Sequence, residues 1–315
     1  MNEPPRTPAD PAPAPADAAA PQPDRRAAGL ILRGAGPLAA AARAAAAEPR
    51  ATALFCDIDG TVSPIVSDPY AAVVPPAFRA ILAALAPRLG LLAFVTGRDV
   101  RQAAAMVGVG DATYVGLHGF DVLGPDGTVS RDPAAEPYIE RVKAMARRAA
   151  ALDTESLGLV IEDKGAVLAL HYRRASDPAA TLAVFEREIL QPARELGLAV
   201  ATGHFLVELR PPVPVSKGSA VRRLLAAGGR DAVELRTALF LGDDLTDCTG
   251  FAAVHDWASK AGDATSGRLA LAVAALTGET PPEVRDGADV VVAATPGMFE
   301  VLAGLLEALS VQPEP

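Results

Sequence analysis

Residues 53–65 read ALFCDIDGTVSPI, and this stretch decides the fold. Ala53 to Cys56 carry nothing polar, the pattern of a short strand buried on both faces of a parallel sheet. Two carboxylates, Asp57 and Asp59, follow at once, and then Gly60 and Thr61. Burying one ionised carboxylate is costly, and a second one two residues on adds like-charge repulsion. Such an arrangement calls for a positive partner, most simply a metal ion.

Outward from this strand, buried strands alternate with amphipathic helices, which signals an α/β fold with a mainly parallel sheet. Residues 75–89 (PPAFRAILAALAPRL) have Pro at the start and apolar residues at helical spacing. GLLAFVTGRD (90–99) is a second buried strand ending on Thr96, Gly97 and Arg98, followed by a short helix and the strand-turn-strand TYVGLHGFDVL (113–123). The texture then changes. An exposed helix (137–152), a hairpin in GLVIEDKGAVLALHYR (158–173), a helix (178–197) and a second hairpin in LAVATGHFLVELRP (198–211) give the order αββαββ. Local hairpins mean an antiparallel sheet, so this is an α+β module inserted into the first domain. The parallel pattern resumes with helix KGSAVRRLLAAGG (217–229) and strands in ALFLGDD (238–244), LALAVAAL (269–276) and GADVVVAAT (287–295).

The expected division is a Pro/Ala-rich disordered tail with a possible alanine-driven helix (1–50), the first part of the core (51–130), the module (131–213) and the second part of the core (214–315). The chain has 315 residues and a formal net charge of −9 with no basic cluster, which argues against nucleic acid as a partner. No run of about 18 apolar residues is present, so no membrane span is expected. Only two cysteines occur, Cys56 and Cys248, far apart and without zinc spacing. That fits a reducing compartment, and the expected location is the cytosol.

Four clusters fall at carboxyl ends of parallel strands or at the helix start that follows: Asp57/Asp59, Thr96, Lys217 and Asp243/Asp244/Asp247. Open α/β sheets bind ligands at that edge. An isolated Asp-x-Asp is more often a turn or cap, Thr-Gly a turn and a lone Lys a solvated cation. Four in order outweigh the bland reading.

These motifs, DIDGT, VTGR, Lys217 in SKG and GDDLTD, resemble those of the haloacid-dehalogenase-like phosphatases, and GLHGFDV, IEDKGAVLALHYR and VELRP resemble the trehalose-6-phosphate phosphatase branch. The resemblance runs from about Thr52 to Leu305. It implies a Rossmann-like parallel sheet core with an inserted αββαββ cap of the C2 type, and a phosphatase acting on trehalose 6-phosphate with Mg2+. Asp57 is then the nucleophile that forms an aspartyl phosphate, and Asp59 the acid that protonates the departing sugar oxygen and later takes a proton from water. Thr61 and Thr96 donate to phosphate oxygens, and Lys217 offsets charge. Asp57, Asp243 and the backbone carbonyl of Asp59 are metal ligands. Asp247 sits behind them; Asp244 is either a further support or a ligand. Glu162, Lys164, Arg173 and Glu208 of the cap, with His118 and Arg98 of the core, are expected to contact the substrate. Cys248 stands where the family usually has an acidic residue. Other readings are the same chemistry on sucrose 6-phosphate or a glycosyl phosphoglycerate, a phosphoryl-transferring mutase, and a non-catalytic regulatory domain that binds sugar phosphate. The expected partner is a small sugar phosphate, and a monomer is favoured.

Overall fold

The computed structural model describes residues 30–66, 71–203, 205–260, 267–277 and 280–311. The expected disordered tail lies outside the described residues, apart from its last part. In chain order the strands are β1 (Ile31–Arg33), β2 (Thr52–Cys56), β3 (Leu91–Val95), β4 (Thr113–Gly116), β5 (Asp121–Leu123), β6 (Val129–Arg131), β7 (Val160–Asp163), β8 (Leu168–His171), β9 (Ala199–Gly203), β10 (Leu206–Arg210), β11 (Thr237–Gly242), β12 (Leu269–Leu276) and β13 (Val290–Ala293). The helices are α1 (Ala35–Ala47), α2 (Pro76–Leu85), α3 (Val100–Val107), α4 (Ile139–Ala150), α5 (Pro178–Phe185), α6 (Gln191–Glu195), α7 (Lys217–Ala227), α8 (Cys248–Ser259), α9 (Pro282–Gly287) and α10 (Ala294–Ser310).

Nine strands form one sheet in the order β1-β13-β12-β11-β2-β3-β4-β5-β6, and four form a second in the order β7-β8-β10-β9. From β13 to β4 all neighbours run parallel, while β1, β5 and β6 add antiparallel edges. The fold is thus an α/β Rossmann-like sheet carrying an α+β insertion. The opening strand lies centrally, between β11 and β3, where the winding order reverses. Its alternation splits the core in two: Leu54 and Cys56 pack on one face with Leu82, Phe94 and Leu302, and Phe55 packs on the other with Phe240 and Phe251. Both faces are buried, which is why the strand reads as a continuous apolar run.

Two expectations change. Residues 31–47, set outside the first domain on sequence, belong to the large sheet: β1 pairs with β13, and α1 buries Ala41 and Ala45 in the core. Small side chains let that helix approach closely, so its low polarity is a packing feature. The helix at 137–152, read as exposed, begins as α4 at Ile139 and buries Ile139, Val142, Met145 and Ala149 at helical spacing.

The inserted module has its own core. Leu168, Leu170, Val207 and Leu209 point from one face of the four-stranded sheet into a cluster with Val142, Phe185 and Ile189. The opposite face follows from register. Glu162 lies opposite Ala169, Ala169 opposite Glu208, and Glu208 opposite Ala201, so these four form one row. The helix carrying Phe185 continues through a π-helical turn at Glu186–Leu190 into α6. Among the described residues no helix is long and apolar enough to cross a membrane.

Because Phe185 is fully buried in a cluster separate from those of the large sheet, Phe185→Ala should destabilise the module by about 3–5 kcal/mol. Hydrogen exchange should show β8 and β10 amides losing protection while β2 and β11 keep theirs. Uniform loss across both sheets would mean that the two bodies do not unfold separately.

Candidate active site

Asp57 follows the last residue of β2, and its backbone N–H donates to the Leu241 carbonyl at 2.8 Å. Asp243 follows β11 on the neighbouring strand, so the adjacent strand ends bring the two carboxylates together. Gly60, between Asp59 and Thr61, has φ 86°, and a Cβ there would collide with the Asp243 carboxylate. The DxDGT turn therefore needs glycine twice over, for its left-handed backbone and for its close approach. Thr61 is fully buried and donates its hydroxyl to Asp243 Oδ1 at 3.2 Å.

Lys217 is the first residue of α7. Ser216 and Ser219 form a reciprocal capping box that fixes the start of this helix. Only 2 % exposed, the Lys217 ammonium lies 2.8 Å from Asp57 Oδ1 and 2.7 Å from Asp247 Oδ1. Burial works against its charge, but Asp247 and Asp57 outweigh it and hold the ammonium protonated above its ordinary range. Asp247 is fully buried, and its Oδ2 accepts from the backbone N–H groups of Asp243 and Asp244, both at 3.1 Å. Both of its oxygens are thus engaged, and it shapes the loop that presents Asp243. Asp244 turns elsewhere: its Oδ1 accepts from the Thr246 amide at 2.7 Å and hydroxyl at 2.6 Å. Burial acts against the Asp244 carboxylate, but Lys217 and the Thr246 bonds hold its pKa below the ordinary value.

Asp57, Asp243 and Asp247 each place a carboxylate oxygen within 4.8 Å of the others. Three carboxylates against the one ammonium leave a net charge of −2 (−3 + 1). Burial, then the like charges of Asp247 and Asp244, push Asp243 up to about 7. Burial also pushes Asp57 well above its ordinary range, with Lys217 opposing. A cluster of hard oxygen donors that is short of positive charge fits a divalent cation. The second oxygens of Asp57 and Asp243 remain for it, since Lys217 and Thr61 take the first.

Asp59 is gripped by Arg98, whose Nε donates to Oδ2 at 2.6 Å and whose Nη2 donates to Oδ1 at 2.7 Å. This bidentate pair was not legible on sequence, where Arg98 was a substrate contact and Asp59 an independent acid. Thr96, 1 % exposed, accepts the Arg98 backbone N–H at 3.2 Å, so the VTGR turn is closed by its own threonine.

The turn after β4 holds His118, and both Leu117 (φ 52°) and His118 (φ 56°) are left-handed, a strained conformation for such residues. The imidazole packs against Gly97, where any side chain would collide with it. His118 Nδ1 is buried without a hydrogen-bond partner. Burial, then the Lys217 charge, lowers its pKa to about 4, so the ring is neutral.

Across a narrow cleft from His118 and Gly97 stands the module, with Val167, Glu208 and Arg210 on its side. Glu162 shares the sheet row of Glu208; its Oε2 lies 3.3 Å from both Lys164 Nζ and His171 Nε2. The His171 bond, with Lys164 beside it, lowers Glu162 to about 2. Glu162 also adds to the field that holds the charge on Arg98, after the dominant Asp59 pair. Arg173 is not brought into this group: it is exposed, with its guanidinium 5.5 Å from the Phe205 ring centre. Sequence reasoning missed His171 and Arg210. Alternation supplied the signal, since Arg210 is two residues beyond Glu208 and His171 two beyond Ala169. Both cysteines are free, and burial raises both thiols, leaving them poor thiolates.

Paired acidic strand ends at the switch point of a parallel sheet, a buried lysine between them and an αββαββ cap define a haloacid-dehalogenase-like hydrolase architecture. The comparisons sharpen this. Residues 55–268 match the family described as Trehalose-phosphatase. The chain belongs to the trehalose-phosphatase family. It is 36% identical over 208 residues to a trehalose-phosphate phosphatase of Mycobacterium avium (strain 104), covering 65% of this chain and 52% of that protein. It is 34% identical over 208 residues to a Mycobacterium tuberculosis protein named as an uncharacterized glycosyl hydrolase, covering 65% of this chain and 15% of that one. The chain thus spans about half the length of the phosphatase relative and a small part of the other. Among solved structures it is similar to the C-terminal domain of C. albicans trehalose-6-phosphate phosphatase, with TM-score 0.62, 25% identity and coverage of 89% of this chain and 99% of that one.

His118 carries a pH prediction. Between its folded value of about 4 and the ordinary 6.5, the unfolded chain binds a proton that the folded ring refuses. Stability should therefore rise with pH across that window and flatten above it. His118→Asn should make the change in unfolding free energy from pH 4.5 to pH 7 shallower by roughly 1–3 kcal/mol. An unchanged slope in denaturant titrations would show that the imidazole is not held neutral.

Proposed function

We propose that this protein is a phosphomonoesterase that hydrolyses trehalose 6-phosphate to trehalose and phosphate. The observation that carries the reading is Lys217 bridging Asp57 and Asp247, with Asp243 alongside, beneath a cap face bearing Glu162 and Glu208. The four-part division becomes residues 31–130 and 214–311 as catalytic core, with 131–213 as the cap that reads the sugar.

In this reading an Asp57 oxygen attacks phosphorus as the bond from phosphorus to the sugar oxygen breaks, giving an aspartyl phosphate. Asp59 gives its proton to the departing oxygen. It then takes one from the water that attacks phosphorus, and the bond to Asp57 breaks to release inorganic phosphate. Arg98 donates to both Asp59 oxygens, so it has to release one of them for that proton to be carried. Thr61, Thr96 and Lys217 hold the phosphoryl oxygens, with Lys217 kept cationic by its two aspartates. Asp57, Asp243 and the Asp59 carbonyl would hold Mg2+, which would supply fixed positive charge against the dianionic ester. Asp247 sets the loop that presents Asp243, and Asp244 accepts from Thr246 beside it. On the cap, Glu162, Lys164 and Glu208 receive sugar hydroxyls, with His118 facing them; Arg173 belongs to the cap's rim. Two free thiols suit work in the cytosol.

Phosphate release should be measured on trehalose 6-phosphate, sucrose 6-phosphate and a glycosyl phosphoglycerate, with and without chelator. Trehalose 6-phosphate should be preferred and chelation should stop turnover; equal rates across the panel would end the trehalose assignment. Asp57→Asn should cut turnover by a factor on the order of 10³ or more with the fold intact. Substantial release from that variant would rule out the covalent step at Asp57.

The metal can be read apart from activity. Asp243→Asn removes a carboxylate that burial holds at about 7, so the ion-free variant should melt above the wild type. Added Mg2+ should raise the wild-type melting temperature and leave the variant's unchanged. Equal upshifts would place the ion elsewhere.

A further inference from the structure

The charged groups nearest the reacting centre are paired: Lys217 with Asp57 and Asp247, Arg98 with Asp59, and Glu162 with Lys164 and His171. The pattern stops at the cleft between core and cap. Arg210 is the last residue of β10, two positions from Glu208, so both project from the same face of the strand. Val207 and Leu209 between them point the other way, into the cap core. Arg210 and Glu208 line the cleft opposite His118 and Gly97, yet the side chain of neither bonds to the other or to any described residue. His118 Nδ1, in the same cleft, also lacks a partner.

The Arg210 guanidinium offers donors at the cleft that no described residue accepts. The ligand that would accept them is constrained by the neighbours. An anion would satisfy Arg210 and be repelled by Glu208. A cation would do the reverse. Only groups that both donate and accept satisfy a donor-only guanidinium, an acceptor-only carboxylate and a neutral imidazole side by side, and hydroxyls do this. Leu117, Phe120 and Val167 line the cleft as well, packed together in one buried cluster.

We propose that Arg210 is a specificity-determining residue of the sugar subsite, its guanidinium donating to hydroxyl or ring oxygens of the glycosyl group while Glu208 accepts beside it. This rests on the phosphatase reading above and assigns the sugar side of that site. Lys217 and Arg98 serve the phosphate side; Arg210 reads what the phosphate is attached to.

The test compares wild type, Arg210→Gln and Arg210→Lys on the sugar-phosphate panel and on p-nitrophenyl phosphate, with inhibition by free trehalose as a second readout. On the best sugar ester, Arg210→Gln should lose about tenfold or more in kcat/KM, mostly through KM, as expected for removing a charged hydrogen-bond donor. Turnover of p-nitrophenyl phosphate should change by less than about threefold, because a small ester does not fill the sugar subsite. Inhibition by trehalose should weaken in parallel, and Arg210→Lys should recover part of the loss. Equal loss on sugar and small esters, in either variant, would overturn the proposal by placing Arg210 on the phosphate or in the fold. Unchanged kcat/KM on the sugar ester would overturn it too. A wild type that prefers another sugar ester sinks only the trehalose assignment, since Arg210 is then judged on that ester. A wild type that favours no sugar ester at all sinks both.

Discussion

A single buried ammonium holds the site in shape. Lys217 touches Asp57 from strand β2 and Asp247 from the loop after β11, and Asp247 in turn receives the backbone N–H groups that aim Asp243. Removing one partner from a buried pair leaves a charge stranded, a loss of about 3–5 kcal/mol. The consequence reaches beyond stability. Asp247 would then pull away from the loop amides, and Asp243 would lose its register with Asp57. Helix α7 must start at Lys217 for any of this to work, which is why its capping box sits one residue before the lysine.

That contact also accounts for the packing between α7 and α8. A side chain at Gly218 would strike the Thr249 carbonyl, and one at Gly250 would strike the Phe240 ring. The helices can therefore approach until Lys217 reaches over the ends of β2 and β11. Thr249, next to the unusual Cys248, receives the Gly218 amide at 3.0 Å. The departure from acidity at Cys248 leaves this coupling intact, because the threonine hydroxyl beside it makes the bond.

The parallel strands were legible in the sequence because burial on both faces forces unbroken apolar runs: β2, β3 and β11 are all but fully buried. Strand β1 was not. It has three residues, all exposed at the sheet edge, and its identity depends on pairing with β13 more than 250 positions away. The same distinction holds in the site. Asp57, Asp243 and Lys217 stood out from their local settings, whereas the cap glutamates were reached through the family resemblance. That Asp247 rather than Asp244 braces the loop is settled by which carboxylate faces the amides. The Arg98–Asp59 grip depends on side chains of two different strand ends. Register across three strands puts Glu162 and Glu208 in one row, and no local pattern reveals it.

The molecule divides its polar groups by task. In the core Lys217 and Arg98 are already paired with aspartates, so the side chains are held in place, while the buried carboxylates still outnumber the one ammonium among them. Along the cleft, His118 Nδ1 and the side chains of Glu208 and Arg210 have no hydrogen-bond partner among the described residues, and the turn that presents His118 is strained. In the proposed reading, discrimination between sugars falls to the cap and the turn after β4, and the chemistry to three strand ends and the first turn of one helix.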